Sequence, residues 1–324
     1  MQIKELYAFL PLAEGSLRKI MAKIILDTDI GTDIDDAFAF VYLLKKGCDL
    51  AGVTTVFRNS RRRAELCKAL AYSLGALNVE VYAGIDKPFV QKPEEIEPPQ
   101  CKQNYDENGV YIPPQCSDEY SSFVFSEKHA VQFIIETCRK EERTEIIAIG
   151  PLTNIAAAIR IAPDIVPKIR ITLMGGCLKK LSLGGEAPHT VSEWNILCDP
   201  EAAHIVFSSG AEVRMVGLDV TLDKALTALQ TKELTETDVC PMLNSLVERW
   251  ANYYGTSLPV LYDPVAAASL FSDILRFEDK NMRVVLEGAE RGVTEESPEG
   301  NLIRVAVSRN DGAFEKEFFS VLKN

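Results

Sequence analysis

Short apolar runs alternate with stretches of helical periodicity along most of this chain, and that alternation restricts its fold more than any other feature. "KIILDTD" (23–29) reads as a buried strand, and "DDAFAFVYLLKKG" (35–47) as a helix closing on lysines and Gly47. "CDLAGVTTVF" (48–57) is the next strand, followed by the helix "SRRRAELCKALAYSLG" (60–75) with Ser60 as its expected cap. "VEVYAG", "TEIIAIG", "KIRITLMGG" and "AEVRMVG" continue the strands, with the helices of 127–141, "PLTNIAAAIRIAP" and "DPEAAHIVFSSG" interleaved. Another helix opens at 263, and two runs near the C-terminus ("MRVVLEGAERGVTEES", "LIRVAVSR") read as strands of an appended ribbon. Strands joined by single helices require crossover connections, so the expectation is α/β: an open, mostly parallel (mixed) sheet with flanking helices and a Rossmann-like core. No repeat or linker divides the chain, which predicts a single domain over 22–324. Residues 1–21 carry an apolar patch too short to span a bilayer and read either as an extension outside the core or as a segment packed at its edge.

In such a sheet the ligand crevice lies beyond the carboxyl ends of the strands. Directly after the apolar run that opens the first strand come Asp27, Asp29, Asp33, Asp35 and Asp36. Carboxylates this dense repel one another unless a cation neutralises them. Hard oxygen donors favour Ca²⁺ or Mg²⁺. Zinc is disfavoured, because His129, His189 and His204 are the only histidines and none has ligand spacing. A bound dication also acidifies water, which a nearby Asp can deprotonate. The plainer alternative is local: Asp35 as a cap, Asp33 and Asp36 as solvated acids of the first turn. A net charge of −12 disfavours nucleic acid and anionic membranes as partners. Eight cysteines without a C-x-x-C pair read as free thiols in a reducing cytoplasm. The Pro-rich, charged stretch 86–120 reads as a long loop or lid.

The segment "DTDIGTDIDDAFA" resembles the aspartate-rich fingerprint of the inosine-uridine preferring nucleoside hydrolases. "VTTVFRNS", "AIGPLTNIA", "MGG", "EWNILCDPEAA", "YDPVA" and "RGVTEES" match the same family in order, from about residue 22 to 310. The resemblance implies a nucleoside hydrolase-like fold and hydrolysis of a ribonucleoside to free base and ribose, in nucleoside catabolism or salvage. It also implies assembly as a homodimer or homotetramer. By the same resemblance Asp29, Asp36, Asp263 and the backbone carbonyl of Ile149 hold Ca²⁺, and Asp29 takes a proton from the attacking water. Asp35 and Asn195 hold ribose hydroxyls with help from Asn59, Glu193 takes the 5′-hydroxyl, and Met174 lines the sugar pocket. Glu193 and Asn195 flank Trp194, and alternation on an extended segment would aim both into one cavity.

Bland readings compete at several positions. Asp199-Pro200 has the form of a cap with Pro at the first helical position, and Asp263-Pro264 shares that form. The arginines of "RNSRRR" read as a solvated face. The chain also departs from the family. Asp33 is extra, Arg58 stands where Gly usually precedes the Asn, and Ala187 replaces an Asn, leaving His189 or Glu186 for part of the 5′ grip. The expected His-containing loop near 100–110 is absent. Tyr262 occupies the place of a His that protonates the leaving base, so it is the candidate at that step. An aromatic there points to purine preference, with Trp250, Tyr253, Tyr254, Tyr105 or Tyr111 as stacking partners. Two rival functions remain: a paralogue that binds a nucleoside or ribosyl ligand without cleaving it, and a haloacid-dehalogenase-type phosphatase, whose motif would need Thr or Ser where Gly31 stands.

Overall fold

The computed structural model describes residues 22–92, 104–182, 187–235, 240–256 and 258–323. The expected extension 1–21, part of the long loop and Glu186 lie outside the described residues. The strands are β1 (Lys23–Thr28), β2 (Leu50–Thr55), β3 (Val81–Ala83), β4 (Thr144–Ala148), β5 (Ile169–Met174), β6 (Glu212–Val216), β7 (Leu275–Val284), β8 (Thr294–Glu296) and β9 (Asn301–Arg309). The helices are α1 (Asp35–Lys46), α2 (Ser60–Ser73), α3 (Ala130–Lys140), α4 (Thr153–Ile161), α5 (Trp194–Cys198) and α6 (Pro200–Phe207). They continue as α7 (Leu218–Thr221), α8 (Ala228–Thr235), α9 (Pro241–Tyr254), α10 (Tyr262–Ala268) and α11 (Asp311–Leu322).

All nine strands form one sheet in the order β3-β2-β1-β4-β5-β6-β9-β7-β8. Pairings from β3 through β6 to β9 are parallel, whereas β7 runs antiparallel to both β9 and β8. The C-terminal strands are therefore not an appended ribbon. Met215 of β6 registers with Val305 of β9, which extends the central sheet. That partner lies about ninety residues away, and no local pattern encodes it.

Helices cover both faces. Ile24 and Leu26 of β1 enter a core with α1, α2, α9, α10 and α11, while Ile25 enters one with α3, α4 and α6. Helix α1 carries acids in its first turn and lysines in its last, and closes on Gly47 in the left-handed conformation. Its Tyr42 stacks on Phe318 of α11 at 5.9 Å and donates to Glu317 at 2.7 Å, fixing the C-terminal helix against α1. The cap of α2 is Asn59, one residue before the expected Ser60, and its side chain accepts from Arg62 N. The seven described cysteines are all unpaired. Among the described residues no helix is long and apolar enough to cross a membrane.

Candidate active site

The strand order reverses between β1 and β4, which opens a crevice at their carboxyl ends. Asp29 follows β1 there, and Ile149 follows β4 with its N–H bonded to Asp27 O at 2.8 Å. The approach is close enough that a side chain at position 150 would stand 2.9 Å from Asp29 Oδ1, so only glycine serves. Helix α1 then returns Asp35 and Asp36 to the same point, and α10 brings Asp263 from the far end of the chain. One carboxylate oxygen from each of Asp35, Asp36 and Asp263 lies within 4.8 Å of the others, and all three residues are buried.

The caps predicted as plain alternatives divide. Asp199 does cap α6: it accepts from Ala202 N at 3.1 Å and from the Thr153 hydroxyl at 2.7 Å, with Pro200 following. Asp263 lies inside the first turn of α10, past the cap position Leu261, and its side chain turns to the acids. Asp35 does not cap α1 either; its Oδ2 accepts from Asp263 N at 3.2 Å. Asp36 accepts from the Thr28 hydroxyl.

These acids border a cavity of about 450 Å³ lined by Asp29, Thr32, Asp33, Asp35, Asp36, Ile149, Met174, Glu193, Asn195, Tyr262 and Asp263. Trp194, Tyr254, Leu218, Leu222, Val191 and Ser192 complete the wall. Glu193 and Asn195 reach it from the start of a helix, not from an extended segment. Glu193 caps α5, accepting from Asn195 N at 2.9 Å and Ile196 N at 3.2 Å, and from Gly176 N at 3.0 Å. The Asn195 amide donates to Ile149 O at 3.2 Å and Met174 O at 3.1 Å, joining the ends of β4 and β5. Asn59 stands apart from the lining. Its amide donates to Tyr111 O at 2.8 Å, so it would have to release that contact to reach a sugar.

The aromatic partners also divide. Tyr254 and Tyr262 face the cavity; Trp250, Tyr253, Tyr105 and Tyr111 are not among its lining residues. Trp250 is buried, with its side chain bonded to Asp33. Leu218 and Leu222 escaped the sequence reading, because α7 and its cap show no polar signal there, whereas Trp194 was named only as the residue between Glu193 and Asn195. The described part of the long loop backs the acid loop: the Gln115 amide donates to Asp33 O at 2.6 Å, and its N–H to Gly31 O at 3.0 Å.

Burial dominates the electrostatics. It lifts the Asp29 carboxyl to about 6, opposed by the neighbouring Arg63 charge. Asp36 rises well above the usual carboxylate range through burial and then the charges of Asp29 and Asp35. Asp263 does so through burial and then Asp35 and Asp36. Asp35 follows the same course, with Asp33 as its next cause. Burial raises Glu193 to about 7 despite three backbone donors. Among the described residues the cavity lining holds no Lys, Arg, His or Cys, so the Arg63 charge behind Asp29 is the counter-charge named beside these acids.

Buried acids gathered beside a cavity at the switch point of the sheet define an α/β protein with a candidate site for a cation and a small ligand. More particularly, the model of the inosine-uridine preferring nucleoside hydrolases matches residues 24–316, and the chain belongs to that family. The chain is similar to an uncharacterized protein of Schizosaccharomyces pombe, 34% identical over 259 residues, 75% of this chain and 77% of that one. It is 37% identical over 203 residues to the pyrimidine-specific ribonucleoside hydrolase RihB of Escherichia coli O9:H4, 61% of this chain and 60% of RihB. Among solved structures it resembles the purine-preferring ribonucleoside hydrolase from Gardnerella vaginalis, with a TM-score of 0.76 and 31% identity over 93% of this chain and 98% of that one. An inosine-uridine preferring nucleoside hydrolase from Bacillus anthracis shares the fold, with a TM-score of 0.71 and 21% identity over 94% of this chain and 99% of that one.

Proposed function

We propose that this protein hydrolyses the N-glycosidic bond of ribonucleosides to free base and ribose, with Ca²⁺ as its metal and purine nucleosides preferred. The carrying observation is the convergence of Asp35, Asp36 and Asp263 within 4.8 Å, with Asp29 lining the same cavity. Oxygens sharing one calcium at ~2.4 Å each lie at most about 5 Å apart, so the spacing of the trio fits that ion. Asp29, Asp36, Asp263 and the Ile149 carbonyl would hold it, with Asp35 at its edge. When bound, the ion supplies a fixed positive charge that neutralises the acids and acidifies water.

The chain's own groups do the rest. Asp29 accepts the proton of the attacking water. Asp35 and Asn195 hold ribose hydroxyls, Glu193 the 5′-hydroxyl, and Met174 packs against the sugar. Breaking the bond builds oxocarbenium character on the ring, and the surrounding carboxylates stabilise that charge. Tyr262 and Tyr254 offer faces for a flat base, and Tyr262 is our candidate to assist its departure. The likeness to RihB favours a second reading, pyrimidine preference. The acidic chain with unpaired thiols supports a reducing cytoplasmic setting, and we include assembly as a homodimer or homotetramer, which light scattering checks.

Reducing-sugar release over a nucleoside panel, with and without chelator, tests the reading. Inosine should be cleaved faster than uridine and chelator should stop both. Faster uridine cleavage selects the second reading, and ligand-induced thermal stabilisation without any sugar release rejects hydrolysis.

A further inference from the structure

The run "RNSRRR" is not the solvated face expected of it: Arg58 and Arg63 are buried, and of its arginines only Arg61 is exposed. Arg63 is only 1% exposed, the largest of the fully buried side chains among the described residues. Burying a guanidinium is costly unless its donors are met. Here Nε and Nη1 are met by two loops of the candidate active site. Nε donates to Phe57 O at 2.7 Å and Arg58 O at 3.2 Å, in the turn that follows β2. Nη1 donates to Ile30 O at 2.8 Å, to the Thr32 hydroxyl at 3.1 Å and to Asp29 O, in the loop that follows β1. No carboxylate of the described residues lies within 4.0 Å of its nitrogens. Its named hydrogen bonds go to backbone carbonyls and one hydroxyl, while its charge still acts on Asp29.

The turn it grips needs support. Phe57, Arg58 and Asn59 all have positive φ (65°, 41° and 62°), three side-chain-bearing residues in succession in the left-handed region. Such strain persists only where surroundings over-determine it. The Phe57 and Arg58 carbonyls are held by Arg63, and their N–H groups by Ile85 O and Asp86 O at 2.8 Å each. One rigid planar group therefore spans the strained turn and the acid loop. A lysine, a single point donor, could not reach both sides.

We infer that Arg63 is a positioning residue for hydrolysis, fixing the Asp29 loop against the turn after β2 so that the Asp29 carboxylate meets the attacking water. The inference rests on the proposed function. It predicts a division of effects, because of the groups assigned to the sugar only Asp35 follows the gripped loop, whereas Glu193 and Asn195 belong to the start of α5 and Met174 to the end of β5. A loop displaced by about 1 Å can cost about 100-fold in rate.

The test compares Arg63→Lys, Arg63→Met and the exposed control Arg61→Ala with wild type. It reads kcat, KM, and melting temperature in chelator and in calcium. Arg63→Lys should stay folded, lose about 100-fold in kcat and keep KM within about 3-fold. Its calcium-induced thermal shift should shrink, since Asp29 is one of the groups held. Arg61→Ala should match wild type. If Arg63→Met does not fold, the lysine variant carries the result. A kcat within about 3-fold of wild type, with only the melting temperature lowered, makes Arg63 a folding residue and overturns the inference. If wild-type protein releases no ribose from any ribonucleoside, the proposed function fails; the calcium shift then decides alone, and a shift equal to wild type overturns the inference.

Discussion

Replacing Asp263 by Asn should move stability in opposite directions with and without metal. Asp263 is 3% exposed, and its carboxylate oxygen lies within 4.8 Å of oxygens on both Asp35 and Asp36. Two unit charges at that separation, at an effective dielectric of about 20, repel by roughly 3 kcal/mol. The metal-free protein escapes part of this by keeping protons on the cluster, and that uptake itself costs stability near neutral pH. An amide of the same shape removes the charge and can still bond Asp35. A net gain of about 2 kcal/mol is therefore expected without metal, raising the melting temperature by about 4 °C for a chain of this size. In calcium the ranking should invert, because the variant lacks a ligand and gains less from the ion. Calorimetry near neutral pH in chelator and in excess calcium measures both, and ribose release should be abolished. A variant that melts below wild type in chelator, or that gains as much as wild type from calcium, would refute the repulsion argument.

Asp29→Asn should lose about 10²–10⁴-fold in kcat, the contribution of a lost general base, while near-ultraviolet circular dichroism stays native. Near-normal turnover would remove Asp29 from that role. Metal-free stability should fall as pH rises from about 4 to about 7. Asp27 goes from 3.8 to about 7, Asp29 from 3.8 to about 6 and Glu193 from 4.5 to about 7 on folding, so the folded state holds protons that the unfolded chain has released. Asp27 alone would account for about 4 kcal/mol across that window, and urea unfolding at a series of pH values reads the slope. Tyr254→Ala should raise KM for inosine by about 3–10-fold with little change in kcat, the scale of one lost ring contact, in steady-state assays.

What was legible in the sequence was what is local. The first strand, its acid-rich turn and α1 lie within twenty-five residues, and their periodicity and charge show the element and its exposed chemistry together. Asp263 offered no such signal. Standing before Pro264, it has the same local form as Asp199, and only the family resemblance separated the two. The structure gives the physical difference: Asp199 stands at the cap position, whereas Asp263 stands two positions past the cap Leu261. Residues whose role depends on distant partners were not legible. Arg63 sits in a basic run of surface character, and its burial follows from carbonyls more than thirty residues upstream. The joining of β9 to β6 depends on pairing across about ninety residues. Leu218 and Leu222 are ordinary apolar residues until the fold sets them around a cavity.

The central claim is that the acids after β1 and in α10 hold a hard dication at the site of glycosidic cleavage. A crystal structure of the protein grown with calcium and a ribose-based inhibitor tests this most directly. The account predicts density for one calcium among Asp29, Asp36, Asp263 and the Ile149 carbonyl, with the sugar hydroxyls against Asp35 and Asn195. An inhibitor bound in this cavity with no ion among those carboxylates, in a preparation that still releases ribose in chelator, would contradict it.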